Sequence, residues 1–127
     1  MTTAQTSAFE RTHRLQGKVL AFLLDRESEA LAQRAQSASA GRAAKTLVKE
    51  GPLRITLVAL RSGVALRQHQ VAGPSSIQAL KGLARVETPA GTTVLPSGAL
   101  MVLDGGVTHR VTALEHCTLL VSLVATT

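Results

Sequence analysis

His69 and His109 are the residues whose type and setting best suit chemistry, because each falls on a stretch of strand character and each follows a glycine-marked turn. Neutral imidazoles ligate divalent metals, line polar patches in cavities, or satisfy a backbone carbonyl. Two of them do not complete a centre, since Zn, Fe, Mn and Ni sites need three or four ligands of suitable charge and geometry. Arg67 shares strand parity with His69 and either joins it at a cavity mouth, facing an anionic group, or is surface charge. Ser75 and Thr108 have hydroxyls but no recognisable base partner, so nothing supports a serine nucleophile. Cys117 lies in an apolar run with Leu119, Leu120 and Val121 and reads as a buried core thiol. Its neighbour His116 falls on the opposite face of a strand and cannot activate it. His13 and His116 are expected to be exposed and without a role. No glycine opens a helix, so no phosphate-cradling loop is present.

The elements that must position these residues belong to a chain of 127 residues, 45% hydrophobic, which is the length of one domain. A domain of this size buries about two-thirds of its unfolded surface and needs neither disulfides nor a structural metal. Aromatics are 2% of the chain, Phe9 and Phe22 alone. That disfavours recognition of single-stranded nucleic acid by stacking. The net charge of +6 is dispersed: Arg54, Arg61, Arg67, Lys81 and Arg85 stand singly among apparent strands. They form a solvated basic face or a barrel mouth that attracts an anion, unlike a clustered nucleic-acid tail. A single cysteine excludes an intramolecular disulfide and suits a cytoplasmic location. Val19 to Leu24, the longest early apolar stretch, is too short to span a bilayer, so no membrane partner is expected.

Residues 1–16 lack periodicity and read as a mobile arm, and the run from Lys18 to Leu24 fits either a short strand or the first turns of a helix. Asp25 is a plausible N-cap for a helix from Arg26 to Ser37, with Glu27 and Glu29 early, Arg34 late, and Ala30, Leu31 and Ala35 on one apolar face. Everything after Arg42 reads as short strands between glycine and proline signals. They are Ala44 to Val48, Leu53 to Leu60, Ala65 to Val71, Ile77 to Leu80 and Leu83 to Thr88, then Thr93 to Leu95, Ala99 to Leu103, His109 to Ala113 and Cys117 to Val124. Eight or nine such strands favour an all-β sandwich or closed barrel, because one open sheet would leave its edges and an apolar face uncovered.

The glycines and histidines fall in a recognisable frame. Gly63, His69, Val71, Ser75 and Gly82 form one run; Gly98, Asp104, Gly106, His109 and Ala113 form a second, with 15 residues between Gly82 and Gly98. Over residues 52–126 this frame resembles the cupin family, at the short spacing of compact bacterial members. The resemblance implies an all-β fold, a double-stranded β-helix (jelly-roll) barrel, here with a short N-terminal helix. It divides the chain into an arm (1–16), an N-terminal segment with helix and strand (17–51) and the barrel (52–126). In the family three histidines and a glutamate converge on a divalent metal. His69 and His109 keep two of those places, whereas Val71 stands for a histidine and Ser75 for the glutamate, and neither is a good ligand. Gln70 and Gln78 point to the opposite face by strand parity and do not rescue the site. Asp104 replaces a motif proline and suits a turn with Gly105 and Gly106.

The expectation is therefore a small-molecule ligand, anionic or partly apolar, held in the barrel by His69, His109, Arg67, Val71, Ser75 and Ile77, with weak or absent metal binding. One alternative is a metal-dependent enzyme of isomerase or dioxygenase type, in which His69 and His109 hold Zn, Fe, Mn or Ni. The other is a structural or regulatory dimerisation module. A homodimer is expected because Val19 to Leu24 precedes the barrel and needs covering.

Overall fold

The computed structural model describes residues 19–125; the arm at 1–16, Phe9 and His13 lie outside them. Among the described residues one helix, α1 (Leu24–Ser37), precedes eight strands: β1 (Arg42–Glu50), β2 (Leu53–Leu60), β3 (Ser75–Lys81), β4 (Leu83–Thr88), β5 (Gly91–Pro96), β6 (Leu100–Leu103), β7 (Arg110–Ala113) and β8 (Cys117–Val124). They form an antiparallel five-stranded sheet, ordered β1-β2-β8-β3-β6, and a three-stranded sheet, ordered β5-β4-β7. The result is an all-β barrel with one short helix.

β2 and β8 are nearly continuous apolar runs because α1 lies over their outer face and the barrel interior over their inner face. Val58, Leu60 and Leu119 point inward to a core shared with Ile77, Val86 and Val111. Leu57 and Ala59 point outward and are sealed beneath Leu31 and Ala35 of α1. Each large apolar side chain so buried contributes about 1.5–3 kcal/mol. In β1 the register against β2 slips between Thr46 and Val48. The slip lets consecutive Leu47 and Val48 both bury against the helix side, which strict alternation forbids.

Two expectations need correction. The helix starts at Leu24 rather than Arg26; its N-cap is Leu23, without a side-chain cap bond, and Asp25 lies in the first turn. Packing of Phe22 and Leu24 on the outer cluster sets the start, and Asp25 and Glu27 still oppose the positive end of the helix dipole. The expected strand from Ala65 to Val71 is present only as two isolated bridges, Ala65 with Thr112 and His69 with His109. Between them one side advances four residues and the other three, so a bulge interrupts the ladder. Among the described residues no helix is long and apolar enough to cross a membrane.

Candidate functional site

Between the sheets lies a cavity of about 300 Å³. All six residues singled out in the sequence, Arg67, His69, Val71, Ser75, Ile77 and His109, line it. Sequence reasoning missed Thr56, Val58, Leu66, Val111, Leu119, Val121 and Leu123, which complete the wall. Pairing explains most of these: Thr56 sits opposite Val121, Val58 opposite Leu119 and Ser75 opposite Leu123, all facing inward. Leu66 and Arg67, although adjacent, both reach the cavity because the bulge falls there.

The histidines are held by their backbones. His69 donates its N–H to the His109 carbonyl at 2.8 Å and His109 returns the bond at 2.8 Å. Their rings meet edge to face, with centroids 5.7 Å apart and an interplanar angle of 85°. His109 is 9% exposed, with Nδ1 3.3 Å from the Val107 carbonyl oxygen, whereas His69 stands exposed at the mouth.

Two loops brace this mouth. The Gln70 amide, on the outer face as expected, donates to the Gly106 carbonyl at 2.6 Å, and Gly106 N–H donates to the Val71 carbonyl at 2.8 Å. Asp104 forms the expected turn, its carboxylate accepting from Gly105 N–H at 2.8 Å. A Cβ on Gly105 would stand 2.2 Å from the Ala72 carbonyl oxygen, so the loops touch backbone to backbone.

Charge around the cavity is one-sided. Among the described residues Arg67 is the only charged one in the lining, and it forms no ion pair with any of them. Among the described residues no carboxylate lines the wall. Ser75 is 7% exposed, and its hydroxyl finds no hydrogen-bond partner among the described residues. Outside the cavity, burial pushes the Cys117 thiol up to about 11, so it stays protonated and unreactive near neutral pH. His116 is exposed but has a structural task that parity did not suggest: its Nδ1 accepts from Ser62 N–H at 2.8 Å, fixing the turn after β2.

The residues present do not fit a divalent-metal centre of the kind the motif frame implies. Val71 and Ser75 line the wall where a histidine and a glutamate would be required, leaving two imidazoles. Among the described residues no group of three or more His, Cys, Asp or Glu side chains is placed to hold a metal.

No family model matches the sequence, and no curated protein matches it. Solved structures do match. A conserved protein of unknown function from Streptococcus pyogenes superposes with a TM-score of 0.68 at 24% identity, over 91% of this chain and 94% of that one. A cupin superfamily protein from Desulfitobacterium hafniense gives 0.69 at 13% identity, over 91% and 97%. A salicylate 1,2-dioxygenase from Pseudaminobacter salicylatoxidans gives 0.68 at 18% identity over 78% of this chain, which spans 33% of that protein. At these identities the likeness is one of fold.

Proposed function

We propose that this chain, which has the cupin fold, is a binding protein that holds a small anionic molecule in the cavity between its sheets and does not depend on a tightly bound metal. The cavity itself supports this reading: apolar walls, with Arg67, His69, His109 and Ser75 as donors and no carboxylate among the described lining residues. The test is a thermal-shift panel of small organic anions on purified protein, with its metal content measured. A ligand at one hundred times its Kd stabilises the folded chain by about 2.7 kcal/mol, a readily measured rise in Tm. A panel without any shift would remove the reading. Stoichiometric metal lost on His69→Ala would instead support the enzyme alternative, of isomerase or dioxygenase type, in which His69 and His109 hold the metal. The edge-to-face histidine pair and the fold shared with a dioxygenase are what favour that second reading.

We propose a homodimer and a cytoplasmic location as well. The expected reason for dimerisation is weaker than it stood, because Phe22 and Leu24 are packed by their own chain, although Val19 is 84% exposed. A better reason is β6, an edge strand on which Leu100 and Val102 are 61% and 68% exposed. A monomer in light scattering at micromolar concentration would remove it.

A further inference from the structure

The cavity is graded from mouth to floor. Arg67 and His69 are exposed, Thr56, Leu66, Val71 and Leu123 are half-buried, and Ile77, Val111 and Leu119 are 1%, 3% and 0% exposed. The one charged lining residue described and the His69 ring thus stand at the exposed end, whereas Ile77, Val111 and Leu119 present the driest apolar surface. Ser75 and His109, 7% and 9% exposed, are the buried polar groups of the wall, and neither offers an anion a charge partner as strong as Arg67. Neither the Arg67 guanidinium nor the His69 ring has a hydrogen-bond acceptor or an ion-pair partner among the described residues. A cation with its own carboxylate partner gains little from a ligand anion; this one has none among the described residues.

We infer that the ligand is a monocarboxylic acid with an apolar body, bound with its carboxylate at the mouth beside Arg67 and His69 and its body against Ile77, Val111 and Leu119. This rests on the anion-binding reading and adds the class of ligand and its orientation. The reverse orientation would strip a carboxylate of water against an apolar floor with no counter-charge, which is costly. A second carboxylate at the far end of the ligand meets the same penalty, so the site rejects diacids. An uncharged molecule of the same shape keeps the apolar contacts and loses the charge-assisted hydrogen bonds at the mouth. The volume of about 300 Å³ is at the small end of ligand pockets and suits a body of modest length.

The experiment is calorimetric titration of the full chain with three compounds of equal length: octanoate, octan-1-ol and octanedioate. Octanoate is expected to bind one to one, and the alcohol and the diacid each about tenfold more weakly or worse, a difference of about 1.4 kcal/mol. Arg67→Gln, a change at an exposed position, should weaken octanoate about tenfold and leave octan-1-ol unchanged. Val121→Phe, which fills the cavity, should abolish uptake of both; Leu123→Trp at the half-buried wall serves if that variant folds poorly. Octanedioate binding as tightly as octanoate, or an Arg67→Gln variant that binds octanoate normally, overturns the inferred class and orientation while leaving cavity binding intact. Failure of all three compounds to bind also overturns the class, and the anion panel then decides cavity binding separately. Octanoate binding that survives both cavity-filling variants sinks the cavity reading itself.

Discussion

On β2 and β8 successive side chains face opposite ways, and the two faces they build are closed differently. Leu57, Ala59 and Leu120 lie on the helix side, where α1 lays Leu31 and Ala35 over them and Leu57 is left 0% exposed. Thr56, Val58, Leu119 and Val121, one residue out of step, look into the barrel, where Val58 and Leu119 join the inner core and all four border the open volume of the cavity. One sheet thus carries a face sealed by the helix and a face that is part core and part cavity, the latter with room for a small molecule. The difference comes from what lies opposite. The helix settles onto the outer face until Leu57 is dry, whereas across the barrel the three-stranded sheet packs against part of the inner face and leaves about 300 Å³ over the rest.

The largest expected effect tests this contrast directly. Leu57→Ala should cost about 2–5 kcal/mol, since it empties a site in a close-packed cluster that cannot collapse around the loss. Val121→Ala, on the same sheet but beside existing open space, removes contacts already incomplete and should cost about 1 kcal/mol. Urea denaturation of the two variants measures the difference through their midpoints. Equal losses would mean that the barrel face is as tightly packed as the helix face, and the contrast would be gone.

How much of this was legible in the sequence follows the same division. The limits of β2, β4 and β8 could be read residue for residue, because strong apolar runs end at Gly51-Pro52, Gly82 and turn residues. The cupin barrel with its short helix could be read too, from glycines and histidines whose spacing fixes where turns and strands fall. Pairing register could not, because it depends on which strand lies opposite. Thr56, Leu119 and Val121 were therefore missed as cavity residues, and the bulge between Ala65 and His69 was read as an unbroken strand. The start of α1 was misplaced for a related reason: the burial of Phe22 and Leu24 outweighed the capping preference of Asp25.

The barrel face is not open along its whole length, and Cys117 sharpens that point. It is 4% exposed in the inner core, opposite Leu60, and burial raises its thiol from 9.0 to about 11. A raised pKa means that the folded chain holds this proton when the unfolded chain has released it. The contribution to stability is therefore whole below pH 9 and lost as pH climbs from about 9 to about 11. Denaturation midpoints of the parent should fall across that window relative to those of Cys117→Ala, and iodoacetamide should label the parent slowly until denaturant is added. Rapid labelling of the native protein at pH 8 would show that water reaches this end of the barrel as well.

The smallest effect concerns how α1 is held on the sealed face. Lys45 of β1 meets Glu27 of α1 at 2.6 Å, with the two side chains 30% and 14% exposed. A pair so close to solvent is screened and should be worth about 1 kcal/mol or less, so Glu27→Gln ought barely to move the denaturation midpoint. Its consequence should be local: faster amide exchange in α1, with the strands around the cavity unchanged, because the apolar contacts of Leu31 and Ala35 still seat the helix. A rise in exchange across β3 and β7 on the same substitution would show that the cavity wall depends on the helix, and that the two faces of the sheet are mechanically one.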